Sequence, residues 1–347
     1  MYYFDDGVKL ESKVKALEHK VKTNLEPKFY YYDEIYDNVN WRLEPPQSLD
    51  YYYVQQAQRI RDEYDYVILC YSGGYDSTNI LETFHFNNIK LDKIITVGAL
   101  NQDSSSMVDE NHNGELYHNV FPYIEELGLS SITQVIDYTE YFNNVNQFSI
   151  STYSNEWIDY TGGWFSPHNW FWRDVEKYSV PKQYRDKKVA FIFGKDKPYI
   201  TIENRKFGFK FKDIAISSYG NAVSTSNCDR INFYWDPNSP EILVKQLHVL
   251  LRAFIISKYD HGYEFNMGHD LIGGKSTNEI VYNLRKPILY KSPKSKTRIL
   301  SLRDQYLLGK KNSDVYRMYE SGIQLLHKRL PVHEHNTPIN SKFYSII

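Results

Sequence analysis

Short apolar runs alternate with helix-like stretches over the first two thirds of the chain. Four of these runs are predicted strands, and the first has the continuous apolar and aromatic pattern of a strand buried on both faces of a parallel sheet. They span residues 66–71, 93–99, 131–136 and 188–193. Helical periodicity occurs between or beside them, at residues 48–64, 78–87, 113–127 and 240–259. This alternation predicts an α/β fold built on a doubly wound parallel sheet.

The remaining sequence predicts fewer elements. Residues 199–202 and 207–211 alternate around a polar turn and predict a β-hairpin, whereas residues 224–232 are polar and are interpreted as irregular. Further helices are predicted at residues 9–22, 300–307 and 314–327, and the tail from residue 331 is expected to be loosely ordered. We therefore divide the chain into an N-terminal extension (1–46), an α/β domain (47–235) and a mainly helical, basic C-terminal region (236–347).

The first predicted strand runs directly into a glycine loop of six residues. They are Ser72, Gly73, Gly74, Tyr75, Asp76 and Ser77. Adjacent glycines permit positive φ angles and a close approach of the backbone to a ligand. Successive N–H groups in such a turn, with the N-terminus of the next helix, form a cradle for phosphate. The hydroxyls of Ser72 and Ser77 add donors, and the Asp76 carboxylate suits the Mg²⁺ that accompanies a polyphosphate.

The strand, loop and helix together resemble the PP-loop, Ser-Gly-Gly-x-Asp-Ser, of the ATP pyrophosphatase family, and all six positions match. That family has a doubly wound sheet of the HUP type. It includes asparagine synthetase-type domains, tRNA-modification enzymes and phosphoadenylylsulfate reductases. The long, Tyr- and Trp-rich second half also resembles PP-loop proteins of bacteriophages. The alternative interpretation of the loop is a tight strand-to-helix turn with serine caps, and neither Gly-x-x-x-x-Gly-Lys-Ser/Thr nor Gly-x-Gly-x-x-Gly is present there.

The resemblance implies that Mg-ATP is bound at the ends of three strands. Tyr71 and the glycine loop would surround the phosphates, and Gly194 would face them from the fourth strand. By the same resemblance, Val97, Gly98 and Ala99 would border the adenine. The alternative for each of these three residues is an ordinary strand end.

Four consecutive residues after the fourth strand are the other candidates for catalytic residues and metal ligands. They are Gly194, Lys195, Asp196 and Lys197. They resemble the segment in which synthetase relatives have a glycine followed by an acidic metal ligand. Asp196 would then share Mg²⁺ with Asp76, and Lys195 or Lys197 would offset charge developing on the β–γ pyrophosphate. A polar turn with solvated lysines is the alternative.

The family's chemistry is adenylation, in which a carboxylate or carbonyl oxygen attacks the α-phosphate of ATP and pyrophosphate leaves. Relatives that transfer sulfur carry paired cysteines, whereas this chain has only Cys70, in a predicted strand, and Cys228, in a predicted polar loop. We therefore expect an amine or ammonia to displace AMP, with a small molecule or a nucleobase as the acceptor. Two alternatives stay open: a phosphoadenylylsulfate reductase-like or sulfurtransferase enzyme, and a non-catalytic nucleotide- or nucleic-acid-binding protein.

Charge is unevenly distributed along the chain. The net charge is −2, but residues 285–329 carry 12 Lys and Arg against 3 Asp and Glu, a balance of +9 that leaves −11 elsewhere. Clustered basic residues neutralise phosphates, so tRNA or DNA is a candidate partner of this segment, with a solvated basic helix face as the alternative. Four tryptophans, at positions 157, 164, 170 and 172, indicate either a lid or substrate pocket or part of the core.

Several classes of protein are excluded by what the sequence lacks. Two cysteines do not make a disulfide framework, and no secretory signal is recognisable. No apolar run approaches the roughly 18 residues that a membrane span requires. The extension of 46 residues is too short, and lacks the N-terminal cysteine, for a glutaminase domain. A cytoplasmic protein without a membrane partner is expected.

Overall fold

A computed structural model describes most of the chain. The described residues are 1–98, 100, 113–137, 158–159, 179–194, 200–204, 206–213, 227–261, 289, 314–331 and 338–347. The four tryptophans, the helix predicted at residues 300–307 and much of the basic segment lie outside these ranges. Within them, every helix is too short or too polar to cross a lipid bilayer.

The described residues form eleven strands and seven α-helices. The strands are β1 (Tyr2–Tyr3), β2 (Lys9–Leu10), β3 (Lys28–Phe29), β4 (Tyr66–Cys70), β5 (Lys93–Gly98), β6 (Thr133–Asp137), β7 (Val189–Phe193), β8 (Ile200–Glu203), β9 (Lys206–Phe209), β10 (Cys228–Asn232) and β11 (Tyr344–Ser345). The helices are α1 (Lys13–Thr23), α2 (Asp33–Tyr36), α3 (Leu49–Glu63), α4 (Tyr75–Phe86), α5 (Phe121–Glu126), α6 (Pro240–His261) and α7 (Asp314–Arg329). One turn of π-helix, Leu116–Val120, leads into α5.

Five strands form an all-parallel sheet in the order β10-β7-β4-β5-β6, which confirms the prediction of an α/β fold with a parallel sheet. All residues of β4 and β7 are buried, as expected for central strands covered on both faces. The chain order reverses between β4 and β7, because β5 and β6 extend the sheet in one direction and β7 and β10 in the other. In open parallel sheets, ligands bind beyond the carboxyl ends of the strands at such a reversal.

The edge strand β10 corrects the interpretation of residues 224–232 as irregular. It pairs in parallel with β7 alone, and only Cys228 and Ile231 of its five residues are buried. An edge strand leaves one side unpaired and part of its surface in solvent, so polar residues are tolerated there. The continuous apolar run that identified the central strands is therefore missing. Cys228 lies in this strand rather than in a polar loop.

The last ten residues, 338–347, lie as an ordered strip between two small antiparallel layers. On one side is the sheet β2-β1-β3, and on the other the predicted hairpin β8–β9, which the structure confirms. The Phe29 N–H donates to the Asn340 carbonyl at 2.8 Å, and the Ser341 N–H donates to the Phe211 carbonyl at 2.8 Å. The N-terminal extension, the hairpin and the C-terminal residues are thus joined by backbone hydrogen bonds.

An aromatic cluster fills the space beneath this strip. Its members are Tyr31, Tyr36, Trp41, Phe209, Phe211, Trp235 and Tyr344. The rings of Tyr36 and Phe211 lie 4.8 Å apart, as do those of Trp41 and Phe209. Tyr344 and Ile346 are buried against this core, so the chain end gains apolar contacts that offset the entropy of ordering it. The expectation of a loosely ordered tail is therefore wrong for residues 338–347.

A buried ion pair connects the same three parts of the chain. Lys13 Nζ lies 3.0 Å from Asp213 Oδ2, and both side chains are 0% exposed. The Ile339 N–H donates to Asp213 Oδ1 at 3.0 Å, and the Tyr2 hydroxyl donates to Oδ2 at 3.2 Å. Burial lowers the pKa of Lys13, and the neighbouring carboxylate partly opposes that shift. Removing one partner would leave the other charge buried without its ion-pair partner.

Lys13→Met is expected to lower the free energy of unfolding by about 3–5 kcal/mol, because it leaves the Asp213 carboxylate buried without its ammonium partner. Urea denaturation followed by fluorescence would measure the loss. The matched control is Lys28→Met, since the ion pair of Lys28 with Asp5 is largely exposed and is expected to contribute about 0–1 kcal/mol. Equal losses in the two variants would contradict the assigned role of the buried pair.

Candidate functional site

The glycine loop, residues 72–77, follows the central strand β4 at the carboxyl edge of the sheet, and its last three residues form the first turn of α4. Its two serines are brought together, with Ser72 Oγ 3.2 Å from Ser77 Oγ. The Gly74 N–H donates to Ser72 Oγ at 3.3 Å, and Ser77 Oγ donates to the Gly74 carbonyl at 3.2 Å. Ser72 is exposed and Ser77 is buried. The serine hydroxyls therefore hold the loop in shape, and Ser72 presents its oxygen at the surface.

The two glycines of the loop are required for different reasons. Gly73 has a φ of +72°, and a Cβ placed on it would lie 2.9 Å from Val120 Cγ2 and 3.0 Å from Asn119 Cβ. Both its backbone conformation and its packing therefore exclude a side chain. Gly74 has an ordinary φ of −76°, and among the described residues a Cβ there would meet Ser72 Oγ alone, at 3.3 Å. Gly74 thus leaves space beside the N-terminus of α4, which is the place where a phosphate would lie in a cradle of this kind.

Gly194, the residue after β7, touches the same loop. A Cβ at Gly194 would lie 2.7 Å from Ser77 N and 2.8 Å from the Asp76 carbonyl carbon. The parallel register pairs Cys70 of β4 with Phe193 of β7, so the two strands end side by side. The structure thus brings Gly194 against the first turn of α4. Lys195, Asp196 and Lys197, which follow it, lie outside the described residues, and their assigned roles stay predictions.

Asp76 occupies the first turn of α4, where its side chain is half-buried. Negative charge at this end of a helix is favourable because of the helix dipole. Its backbone carbonyl accepts a hydrogen bond from the Tyr234 hydroxyl at 2.8 Å. Within the described ranges, no three His, Cys, Asp or Glu side chains are grouped as metal ligands. The two-carboxylate site of Asp76 and Asp196 remains a prediction.

The residues expected to border the adenine, and Tyr71 at the end of β4, are more buried than the serine and aspartate of the glycine loop that lie at the surface. Val97 is buried, and a Cβ at Gly98 would lie 3.0 Å from Leu116 Cδ2 and 3.2 Å from Asn113 Oδ1. Tyr71 is also buried, with its hydroxyl 3.3 Å from Thr78 Oγ1, and burial raises its pKa to about 12. Tyr71 therefore packs between β4 and α4. Ala99 lies outside the described residues.

The turn of π-helix was missed by sequence reasoning, which treated residues 113–127 as one regular helix. In the structure the Phe121 N–H donates to the Leu116 carbonyl, five residues back. Pro122 is a sequence signal for this distortion, because it lacks an N–H and its ring obstructs the normal helical carbonyl. The π-turn brings Asn119 against Gly73 of the glycine loop. Turns of this kind are frequent at functional sites.

Both cysteines are buried, at 8% exposure for Cys70 and 6% for Cys228. Burial raises the pKa of the Cys70 thiol well above its usual range, which leaves little of the reactive thiolate at neutral pH. Cys70 lies in the buried strand β4, which confirms its predicted place in a strand. Neither thiol is presented at the loop surface in the way that nucleophilic sulfur chemistry requires.

A comparison of the chain with protein-family models found no match, and a comparison with curated proteins found none either. The likeness to the PP-loop therefore depends on the six loop residues and on their place in the sheet.

Gly194→Ala and Gly74→Ala are expected to separate packing from ligand binding. The methyl group at position 194 would collide with the backbone of α4, so we expect about 1–3 kcal/mol of destabilisation by urea denaturation. The methyl group at position 74 would press only on the Ser72 hydroxyl among the described residues, so a smaller loss is expected together with weaker binding of ATP, measured by calorimetry. A Gly74→Ala protein that binds ATP as well as the unchanged chain would contradict this assignment of the phosphate position.

Neither cysteine of the native protein is expected to react with a disulfide reagent such as dithiobis-nitrobenzoate, because both thiols are buried. Absorbance of the released thiolate would measure the reaction, and the denatured chain, in which both of its 2 cysteines react, is the control. Rapid reaction of one thiol in the native state would restore the case for sulfur chemistry.

Proposed function

We propose that this chain is a PP-loop enzyme of the HUP type that binds Mg-ATP and adenylates a carbonyl or carboxylate acceptor. The observation that carries the proposal is the position of the Ser-Gly-Gly-x-Asp-Ser loop. It follows the central strand at the point where the strand order reverses, and Gly194 of the neighbouring strand packs against it. A serine-capped turn elsewhere in a sheet would need neither this position nor the contact with a second strand end.

The groups at the loop fit a polyphosphate and its metal ion. Gly74 leaves room that a Cβ would fill, and Ser72 carries an exposed hydroxyl. The first turn of α4 directs N–H groups toward the same space. The Asp76 carboxylate is a hard oxygen donor of the kind that Mg²⁺ prefers, with Asp196 as its proposed partner. When bound, Mg²⁺ would neutralise negative charge on the phosphate oxygens.

The proposed reaction has two steps that use these groups for positioning and charge. An acceptor oxygen attacks the α-phosphorus of ATP, the bond to the bridging oxygen of the β-phosphate breaks, and pyrophosphate leaves on the glycine loop. An amine or ammonia then attacks the adenylated carbon, AMP departs and one proton is released. The loop N–H groups hold the leaving pyrophosphate, and Lys195 or Lys197 is proposed to offset its charge. The expected product is an amide or amidine on a small molecule or a nucleobase.

The burial of both cysteines counts against the alternative of a reductase or sulfurtransferase that uses its own thiol. The second alternative is a binding protein that holds ATP without turnover, or that binds tRNA or DNA through residues 285–329. In that segment the Arg329 guanidinium already contacts Glu18 and Asp159, each at 2.7 Å. This arginine is used within the protein, which lowers the charge that the segment offers to nucleic acid.

A cytoplasmic location and a free amine or ammonia as the nitrogen donor complete the proposal. ATP and reduced thiols are both features of that compartment. The acceptor class, whether a free metabolite or a nucleobase within tRNA or DNA, is the part that the experiment below identifies.

Asp76→Asn is expected to lower the rate of AMP and pyrophosphate formation by at least tenfold, because it removes the proposed metal-binding charge while preserving shape. The assay uses Mg-ATP labelled at the α- and γ-phosphates, mixed with pools of amino acids, nucleosides, tRNA or DNA. Asp62→Asn on the far end of α3 is the matched control, since that side chain is solvent-exposed. Formation of ADP and phosphate would contradict the proposal, and intact ATP despite binding would favour the binding-protein alternative.

A further inference from the structure

One buried hydroxyl touches the residue that is proposed to bind the metal ion. Tyr234 lies just beyond β10 and is 1% exposed. Its hydroxyl donates to the carbonyl of Asp76 at 2.8 Å and accepts a hydrogen bond from Asn79 Nδ2 at 3.0 Å. Asp76 and Asn79 are three residues apart and so share a face of α4. The hydroxyl therefore bridges two successive turns of this helix at the end that meets the glycine loop.

The ring of Tyr234 is itself fixed by the helices behind it. It meets the ring of Tyr53, on α3, edge to face at a centroid distance of 5.5 Å. The Tyr53 hydroxyl accepts from Gln246 Nε2, on α6, at 3.0 Å and donates to the Leu289 carbonyl at 3.4 Å. The contacts are made to buried side chains, where rotamer changes are restricted by close packing. Tyr234 thus has little freedom to move away from Asp76.

A helix is least constrained in its first turn, because the N–H groups there have no partners earlier in the helix. Asp76 lies in this first turn, so the position of its carboxylate depends on contacts from outside the helix. A hydrogen bond to the Asp76 carbonyl from a rigid, buried donor restrains that peptide group. The close packing of Gly194 against the backbone of Asp76 and Ser77 also restrains this turn.

We propose that Tyr234 is a positioning residue for Asp76, and that its hydroxyl holds the first turn of α4 in the conformation that binds the Mg²⁺ of Mg-ATP. This inference rests on the proposed function and extends it to a residue that never contacts the nucleotide. The residue just beyond the edge strand β10 would thus contribute to metal binding through Asp76. The effect is specific to the metal-dependent part of nucleotide affinity.

The test is calorimetric binding of ATP to Tyr234→Phe across a series of Mg²⁺ concentrations and in EDTA. We expect the Mg²⁺ concentration for half-maximal tightening of ATP binding to rise about two- to tenfold, the range that follows from the loss of one hydrogen bond. Affinity for ATP in EDTA should stay within about twofold of that of the unchanged chain.

Tyr31→Phe is the matched control. The Tyr31 hydroxyl is also buried and also donates to a backbone carbonyl, that of Trp235, at 2.7 Å. This variant removes the same kind of bond one residue away and is expected to leave the Mg²⁺ dependence unchanged. Asn79→Ala, which removes the donor that orients the Tyr234 hydroxyl, is a second variant in case Tyr234→Phe fails to fold, and a smaller shift in the same direction is expected.

The outcomes separate this inference from the function on which it rests. If the unchanged chain shows no Mg²⁺-dependent binding of ATP, both the proposed function and the inference are overturned. If it does, and Tyr234→Phe behaves as Tyr31→Phe does, only the positioning role is overturned. Equal losses of affinity with Mg²⁺ and in EDTA would show a general structural defect and would also overturn the positioning role.

Discussion

The close approach of Gly194 to the first turn of α4 is the contact on which the candidate site depends. A Cβ at this position would lie within 2.8 Å of the α4 backbone, so the residue that follows β7 can approach α4 this closely only because it is glycine. The parallel register of the two strands places their ends side by side, and the strand order reverses between them, which is where open parallel sheets bind ligands. The loop, the N-terminus of α4 and Gly194 are consequently brought to one edge of the sheet.

A second set of contacts closes the molecule around this sheet. The C-terminal residues 338–347 pair with the hairpin and with the N-terminal extension, and an aromatic cluster packs beneath them. The Lys13–Asp213 ion pair is buried among the same segments, an arrangement that stabilises only when both charges and their hydrogen bonds are present. The two chain ends therefore belong to one layer, and α6 is tied to the extension through Lys245 and Glu44.

Burial and hydrogen bonding divide the residues near the loop into two kinds. Ser72, Gly74 and Asp76 are accessible and carry groups suited to a polyphosphate with its metal ion, whereas Tyr71, Asn79 and Tyr234 are buried and hold the loop and helix in place. The supporting residues come from β4, from α4 and from the end of β10. A site for which preorganised groups supply the catalysis needs support of this kind, because small displacements of the charged groups cost large factors in rate.

The sequence by itself determined the central strands, the long helices and the glycine loop, because continuous apolar runs, helical periodicity and paired glycines are local signals. It did not identify β10, whose polar residues are tolerated at a sheet edge, or the ordering of residues 338–347, which depends on contacts with segments more than a hundred residues away. Pro122 is a local signal for the π-turn, but no local signal indicates that the π-turn contacts Gly73. Tyr234 was likewise indistinguishable among 32 tyrosines. Only the tertiary structure decided these features, because each is defined by which distant side chain or backbone group lies next to it.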